Sequence, residues 1–361
     1  MQKKKRAEII RIENKDNLSM DRGIWRAAEL LGEGMIGAVP TETVWALAAK
    51  ATNKKAVEKI YEVKKRSKRN PLIVHCHNIK DAERWITEFN GDATTLAHTF
   101  WPGPLTMVLP KNPGIPDVTT AGLDTVAIRV PNHPIALALI KQLGEPFAAP
   151  SANESGLPSG TTMDAVMQDL GDKIDFIIHE EGKCKIGIES TIIDMTSKPT
   201  ILRFGGLPLS KIKEEIGEVD IDPVALGETG NGQPKAPGMM FRHYAPKYAM
   251  VKAFSRNCER LPVLNSMVDG ARELKEEGNE VILVFSSQIL GSTCDQIKKY
   301  GIKRDHIIPF SDAVQLGQNL FHVYREFDRK KTFILVEEAK EPEDVAMAVN
   351  NRIRVSARKK K

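Results

Sequence analysis

The chain has 361 residues, of which 41% are hydrophobic and 27% are charged. The length predicts two domains, and the composition is typical of a globular protein that can bury sizeable cores. The net charge of +5 permits an anionic partner without requiring one. The four cysteines are far apart and form no C-x-x-C pair, which argues against a disulfide framework and against a zinc ribbon.

Both termini are basic, and solvated chain ends explain these charges without a functional role. The N-terminal cations are not followed by an apolar segment, and no run of about 18 apolar residues occurs in the sequence. We therefore expect a cytoplasmic protein that does not associate with a membrane.

Strand-like and helix-like segments alternate from residue 9 to about residue 215. The spacing of Val57, Ile60 and Tyr61 predicts an amphipathic helix, and apolar runs predict buried strands. The predicted strands are MIGAVPT, LIVHC, LTMVLP, VAIRV, DFIIHE, STIIDM and TILRFG, and HPIALALIKQLG is a predicted helix closed by Gly144. Many strands mixed with helices predict an α/β (α+β) domain with a large twisted mixed sheet.

Residues 217–247 are rich in glycine and proline and show no periodicity, which predicts a long linker. The end of this segment, APGMMFRHYAP, concentrates apolar, aromatic and basic residues, so we expect it to dock on another surface. The predicted organisation is a first domain at 6–216, a linker at 217–247 that covers the active site, and a second domain at 248–358.

The second domain shows a different sequence pattern, in which predicted strands alternate with predicted helices. The predicted strands are YAMVKAF, EVILVFSS, HIIPF and TFILVEEA, and the predicted helices lie near 265–276, 312–327 and 343–353. This alternation predicts a small parallel, Rossmann-like α/β domain.

A concentration of cations precedes the predicted strand LIVHC, in the stretch VKKRSKRNP. The cations are Lys64, Lys65, Arg66, Lys68 and Arg69. Pro71 prevents the preceding helix from continuing, and cations near a helix C-terminus are favoured by the helix dipole alone. That effect does not explain why the charges continue up to a core strand, so we expect an anionic group at this junction.

Two polar stretches adjoin predicted strands. In VPTETVW, Thr41 either caps a helix or, like Thr43, offers a hydroxyl to a ligand. The stretch APSANESGLPSGTT includes Ser151 and Asn153 and is either a turn or a loop that contacts a ribose, base or phosphate.

Arg129 and Arg203 lie beside apolar strand residues, where an unpaired guanidinium would be costly. Each is therefore expected to meet an anionic group. His75 and His77 share one face of a predicted strand. No third metal ligand is evident, so His75 is interpreted as a substrate contact or a packed histidine, and no metal site is predicted.

These stretches, in this order, resemble the YrdC-type domain, and the remainder resembles the two-domain L-threonylcarbamoyladenylate synthase family. The motifs that carry the resemblance are PTETVWALAA, VKKRSKRNPLIVH, FWPGPLTMVLP, VAIRVPNHPIALALI, PSANESGLPSGTT, GKCKIGIESTIID, ILRFGG, APGMMFRHYAPKY and VAMAVNNRIRVSA. They extend from about Arg6 to Arg358. The resemblance implies synthesis of threonylcarbamoyl-AMP from L-threonine, bicarbonate and ATP, with release of pyrophosphate, for threonylcarbamoyladenosine in tRNA.

The resemblance also implies site residues and partners. Lys64 and Arg66 match the K-x-R element and would meet the polyphosphate as catalytic residues. The positions implied to bind ATP are Lys64, Arg66, Asn70, Thr125, Ala149, Ser151, Asn153, Arg203, Arg242 and Tyr244. Those implied to bind L-threonine are Thr41, Thr43, His75, Arg129 and Ser190. Mg²⁺ would accompany ATP, and a tRNA threonylcarbamoyltransferase complex would use the product. Ala236 departs from the family, which usually has serine at that position.

Two alternatives were weighed against this enzyme. A module that binds double-stranded RNA or tRNA, with weak ATPase activity, would also carry cations, and its affinity would fall steeply with salt. The modest net charge and the lack of a recognisable RNA motif count against this as the main role. Carbamoyl transfer in hydrogenase maturation is excluded because the related enzymes carry C-x-x-C zinc sites that this chain lacks.

Overall fold

The computed structural model describes residues 6–228, 233–239, 244–255, 260–287, 297, 300–340 and 345–357. The chain folds into two compact units. The first comprises Met1–Ser155 and Ser159–Phe241, and the second comprises Gly156–Pro158 and Arg242–Lys361. The change from one unit to the next at Phe241 and Arg242 falls inside the segment 217–247 that was predicted to be a linker.

A mixed sheet of eleven strands forms the centre of the first unit, counted over its described residues. The strands are β1 Glu8–Ile10, β2 Gly37–Val39, β3 Ala46–Lys50, β4 Ile73–His75, β5 Leu105–Pro110, β6 Thr125–Arg129, β7 Phe147–Ala149, β8 Phe176–Ile178, β9 Thr191–Asp194, β10 Thr200–Arg203 and β11 Asp220–Ile221. Their order is β1-β8-β2-β3-β7-β4-β6-β5-β9-β10-β11. Strand β4 is parallel to β6, whereas β5 is antiparallel to β6, which confirms the predicted mixed sheet.

Helices cover this sheet and contribute apolar side chains to its core. They are α1 Arg22–Gly32, α2 Lys54–Lys64, α3 Ile79–Glu83, α4 Gly91–Phe100, α5 Asp117–Thr120, α6 Pro134–Leu143, α7 Met163–Leu170 and α8 Leu209–Ile216. Leu31 of α1 and Leu139 of α6 belong to the same buried cluster as Phe147 of β7. Burial of such side chains supplies most of the folding free energy, at about 25 cal/mol per Å² of apolar surface.

The segment between β2 and β3 corrects one expectation from the sequence. The interpretation of Thr41 as a helix N-cap is wrong, because Thr41 and Thr43 lie in a turn and the following apolar residues form strand β3. This strand pairs with β2 on one side and with β7 on the other. The sheet satisfies the backbone of β3 on both edges, so no helix is needed to bury its alanines.

The register of the sheet places the polar residues of interest on one face. Ala127 of β6 lies opposite both Ile73 of β4 and Val108 of β5. Directly opposed residues point to the same side of a sheet, and the side alternates along each strand. The residues on this face of the central strands therefore include Ile73, His75, Thr106, Val108, Thr125, Ala127, Arg129, Ile192 and Asp194.

The second unit contains a parallel sheet, as the alternation of strands and helices predicts. Its described strands are β12 Met250–Phe254, β13 Glu280–Ser286, β14 Ile307–Phe310 and β15 Thr332–Glu337, in the order β12-β15-β13-β14. All pairings are parallel. The described helices are α9 Arg260–Glu276, α10 Ala313–Glu326 and α11 Ala346–Ser356. Among the described residues of both units, no helix has the length and apolar composition needed to cross a membrane.

Candidate active site

The cationic stretch begins inside helix α2. Asn53 caps this helix by accepting the backbone N–H of Ala56, and Lys65 ends it in the left-handed conformation, with φ of 53°. Lys64, in the last turn, is only 1% exposed. Its ammonium group donates to the carbonyl oxygens of Ser151, at 2.5 Å, and of Asn153. This contact attaches the end of α2 to the polar loop that follows β7.

Arg66 folds back towards the chain that leads into β4. Its guanidinium donates to the side-chain oxygen of Asn70 at 2.6 Å and to the carbonyl oxygen of Pro71 at 2.9 Å. Lys65, in contrast, has a side chain that is 77% exposed and pairs with Glu154 at 3.0 Å. Lys68 and Arg69 are also exposed. Two of the five cations therefore turn inwards, and they are the two of the K-x-R element.

Arg129 lies at the end of β6, where it meets an anionic group that belongs to the protein. Its NH2 nitrogen is 2.6 Å from Oε1 of Glu42, and both side chains are buried. NH1 donates to the hydroxyl of Thr43 at 2.9 Å, and Nε donates to the carbonyl oxygen of Gly103 at 3.1 Å. The hydroxyl of Thr41 lies 2.9 Å from that of Thr43 and donates to the carbonyl oxygen of Val44.

His75 lies beside Arg129 in the register of the parallel strands β4 and β6. Its ring stacks on Phe147 with a centroid distance of 5.1 Å. Burial, together with the positive charge of Arg129, lowers the pKa of His75 to about 3. The imidazole is therefore neutral at physiological pH, and it is both a packed histidine and a neutral polar group on this face of the sheet.

Ser190 and Arg203 form a second polar group at the edge of β9 and β10. The guanidinium of Arg203 donates to the carbonyl oxygen of Ser190 at 2.9 Å, and the Ser190 hydroxyl lies 2.7 Å from that of Thr106. Gly205 permits this approach, because a Cβ at that position would lie 2.2 Å from the carbonyl carbon of Ser190. A side chain at residue 205 would force the two segments apart.

The described residues 233–239 belong to the first unit and pack on its sheet. Lys235 pairs with Asp194 at 2.8 Å, and Ala236 is fully buried in an apolar cluster that includes Ile73 and Ile192. The carbonyl oxygen of Pro237 accepts a hydrogen bond from Arg203 at 3.2 Å. This segment therefore lies over the face of the sheet that carries His75 and Arg129. Alanine suits position 236 because its surroundings are apolar.

Thr125 and Ala149 also lie at the ends of central strands, opposite Pro110 and Ile73 respectively. Tyr244 belongs to the second unit, where it is buried and stacks on Phe321 at 5.3 Å. The guanidinium of Arg352 lies 5.2 Å from the centre of the Tyr244 ring. Arg242 lies outside the described residues.

A cavity of about 430 Å³ adjoins the turn between β2 and β3. Thr41, Glu42 and Pro104 line one side of it, and His133, Glu180 and the adjoining loop line the other. Burial lowers the pKa of His133, although the charges of Glu180 and Glu42 act in the opposite direction.

Among the described residues, no three acidic, histidine or cysteine side chains are arranged to hold a metal ion.

The fold and the site define the chain as a two-domain protein of the YrdC type. A family model described as "Telomere recombination" matches residues 29–205, and one described as "Threonylcarbamoyl-AMP synthase, C-terminal domain" matches residues 210–357. The chain is 40% identical over 331 residues to the threonylcarbamoyl-AMP synthase of Pyrococcus abyssi, with 91% of this chain and 92% of the relative covered. It is 37% identical over 346 residues to the enzyme of that name from Bacillus subtilis, with 95% of each chain covered.

A solved structure supports the same assignment. The crystal structure of P. abyssi Sua5 complexed with L-threonine is similar, with a TM-score of 0.86, 39% identity and 97% of each chain covered. The chain belongs to the threonylcarbamoyl-AMP synthase family, which is a family of enzymes.

Sequence reasoning did not assign a role to Glu42 or to Thr106. Glu42 could have been found by the argument that was applied to Arg129, because a charge in apolar surroundings needs a partner. Thr106 is a polar residue inside an otherwise apolar strand, and only the pairing of β5 with β9 brings it near Ser190.

Proposed function

We propose that this chain joins L-threonine, bicarbonate and ATP to form threonylcarbamoyl-AMP and pyrophosphate, for the threonylcarbamoyladenosine modification of tRNA. The observation that carries the proposal is the contact of Lys64 with Ser151 and Asn153. It joins the K-x-R stretch to the S-x-N loop, two motifs of the family that are far apart in the chain. The side chain proposed to bind phosphate and the loop proposed to bind the nucleoside are therefore adjacent, which supports the proposal that they bind one ATP molecule.

The L-threonine pocket in this proposal lies on the face of the sheet that carries Arg129. The residues proposed to line it are Thr41, Thr43, His75, Arg129 and Ser190. Arg129 receives the carboxylate, since a guanidinium suits this group. The neutral His75 adds a polar contact without adding charge. Protonated bicarbonate breaks a C–O bond and releases carbon dioxide and water. The neutral amine of threonine then bonds to the carbon of carbon dioxide and loses one proton, so that the product is a carbamate and the net by-product is water.

ATP binds on the side of the K-x-R stretch in this proposal. The residues of the first unit proposed to contact it are Lys64, Arg66, Asn70, Thr125, Ala149, Ser151, Asn153 and Arg203. For Arg242 and Tyr244, the contact with ATP stays a prediction from the family resemblance. An oxygen of the carbamate attacks the α-phosphorus, the bond to the β-phosphate breaks, and pyrophosphate leaves. Lys64 and Arg66 stabilise the phosphate charge, because such displacements depend mainly on positioning and on electrostatic stabilisation.

The linker is proposed to cover the nucleotide. The docking of residues 235–237 over the sheet supports this idea, because it positions the chain on the face that carries the site. We propose domain limits of 6–216, 217–247 and 248–358 for the catalytic domain, the linker and the Rossmann-like domain.

Mg²⁺ is proposed to enter with ATP. The described residues do not fit a resident metal site, because they supply no cluster of carboxylate, histidine or cysteine ligands. Mg²⁺ commonly binds substrate phosphates with little help from protein ligands.

We propose that the product passes to a tRNA threonylcarbamoyltransferase complex and that the chain acts in the cytoplasm. Direct contact with tRNA or double-stranded RNA is a further prediction. If this contact occurs, the affinity for RNA should fall steeply as the salt concentration rises and should not change when L-threonine is added.

The test is pyrophosphate release from ATP in the presence of L-threonine and bicarbonate, with each omitted in turn. We expect release that needs both compounds and that is lost in Arg66→Ala. Release that ignores L-threonine would contradict the proposal and indicate a nucleotide hydrolase. The absence of release, combined with salt-sensitive RNA binding, would favour an RNA-binding module.

A further inference from the structure

The buried pair of Glu42 and Arg129 has one unused acceptor and one unused donor. Oε1 of Glu42 accepts the backbone N–H of Asn132 at 3.0 Å and lies 2.6 Å from NH2 of Arg129. Oε2 of Glu42 has no hydrogen-bond partner among the described residues, and NH2 of Arg129 makes the ion pair with Oε1 but no hydrogen bond to a described residue. Glu42 is 5% exposed and Arg129 is 3% exposed.

Unused hydrogen-bonding atoms of this kind are rare in protein interiors, because leaving them without a partner costs free energy. A carboxylate that can accept another hydrogen bond and a guanidinium that can donate another together suit a ligand that carries one positive and one negative group. The zwitterion of an amino acid is such a molecule. Its carboxylate accepts from a guanidinium, and its ammonium donates to a carboxylate.

We propose that Glu42 binds the α-ammonium group of L-threonine through Oε2, while NH2 of Arg129 donates to the L-threonine carboxylate. This inference rests on the proposed function, since it adds a residue to the same L-threonine pocket. It concerns binding and orientation only. The ion pair fixes which end of the amino acid lies on which side, and the nitrogen that forms the carbamate is thereby positioned.

The surroundings of Glu42 support a ligand at this position. Glu42 and Thr41 line the cavity of about 430 Å³, which is large enough for an amino acid. Arg129 is not part of this lining but lies 2.6 Å from Oε1 of Glu42. The hydroxyl of Thr43 binds NH1 of Arg129, so the turn that carries Glu42 also orients the guanidinium. The two halves of the zwitterion site are therefore fixed by one short segment of chain.

A purely structural role makes a different prediction. In that case Glu42 would only hold Arg129 and the segment around Asn132, and its loss would weaken every ligand of the pocket equally. Glu180 provides a matched control. It lines the same cavity and its Oε2 also lacks a partner among the described residues, but no ion pair joins it to Arg129.

The experiment is calorimetric binding of two ligands to the full chain, namely L-threonine and its α-hydroxy analogue, in which a hydroxyl replaces the ammonium. We expect Glu42→Gln to weaken L-threonine binding at least about tenfold and to change binding of the analogue less than about twofold. Glu180→Gln should leave both affinities unchanged. Equal weakening of both ligands by Glu42→Gln, or no weakening of L-threonine, would overturn the inference.

A second variant covers the case in which Glu42→Gln does not fold. Glu42→Asp keeps the charge opposite Arg129 but withdraws the carboxylate by one methylene group, so we expect it to weaken L-threonine more than the analogue. Equal loss for the two ligands would overturn the inference. Failure of the proposed function is recognised separately, because the unmodified chain would then bind no L-threonine and show no threonine-dependent release of pyrophosphate.

Discussion

Two buried polar groups, one in each unit, differ in how far their own fold satisfies their hydrogen bonds. In the second unit, Arg354 meets Glu338 through two hydrogen bonds of 2.8 Å, and Asn350 bonds to both the N–H and the carbonyl group of Ala339. In the first unit, Glu42 and Arg129 are paired but each retains an atom without a hydrogen bond among the described residues. Asn350, Glu42 and Arg129 are all buried, whereas the Arg354 side chain is 48% exposed. Of the buried groups, Asn350 is satisfied by its own fold, and within the described part of the chain the pair of Glu42 and Arg129 is not.

We interpret the satisfied group as structural and the unsatisfied pair as part of the proposed ligand site. A buried side chain whose hydrogen bonds are all made stabilises the fold. Removing it leaves its buried donor and acceptor partners without hydrogen bonds, which costs free energy. A buried polar atom without a hydrogen bond lowers the stability of the fold, and natural proteins keep such atoms mainly where function requires them. We therefore expect substitutions in the first unit to act mainly on activity and those in the second unit to act mainly on stability.

The largest effect is expected for Lys64→Met in the first unit. This change removes the ammonium group that joins α2 to the loop at Ser151 and that would stabilise phosphate charge. We expect threonine-dependent pyrophosphate release to fall by about 10² to 10³. Lys65→Met is the matched control, because Lys65 is the adjacent lysine on the surface. An equal loss of pyrophosphate release in the two variants would show that the buried lysine is no more important for activity than the solvated one.

Asn350→Ala tests the second unit. It leaves the buried N–H and carbonyl groups of Ala339 without this partner, which should lower the free energy of unfolding by about 2 to 4 kcal/mol. Urea unfolding followed by circular dichroism measures this change. Pyrophosphate release at low temperature should remain close to that of the unmodified chain. Asn319→Ala, which removes a solvent-exposed bond to the carbonyl oxygen of Gln315, should have a smaller effect on stability.

His75→Gln tests the pH dependence of the first unit. The pKa of His75 is about 3 in the folded chain and about 6.5 when unfolded, so between these values only the unfolded chain is protonated at this residue. Stability contributed by neutral His75 is present above pH 6.5 or so and is lost as the pH falls towards 3.

The measurement is the free energy of unfolding between about pH 7 and pH 5. Its slope should be smaller in His75→Gln, by up to about 1.4 kcal/mol per pH unit. His98→Gln, at an exposed position in α4, is the control. An unchanged slope in His75→Gln would show that the imidazole is not kept neutral by the fold.

The smallest effect is expected for Lys235→Ala, which removes the pairing between the linker and Asp194. The Lys235 side chain is 57% exposed, so solvent screens its charge. We expect the KM for ATP to change by less than about threefold. A much larger increase in KM would mean that this ion pair, rather than the burial of Ala236, holds the linker on the sheet.

The order of the motifs and the alternation of strands and helices were readable from the sequence. Both sheets follow from local patterns, because apolar runs of strand length recur between helical segments. The position of Lys64 near the end of α2 follows in part from local rules too, since Pro71 prevents the helix from continuing into β4. The turn at Thr41 was harder, because the apolar stretch after it fits a helix or a strand until its neighbours are known.

The sequence by itself determined the residue types of the site and their order, and hence the family. Only the tertiary structure decided which side chains meet. Arg129 and Thr43 are 86 positions apart, and Lys64 and Asn153 are 89 positions apart. Such contacts depend on the register of a sheet whose neighbouring strands are distant in the chain. Local periodicity fixes which face a side chain takes, but strand order and register fix its neighbours.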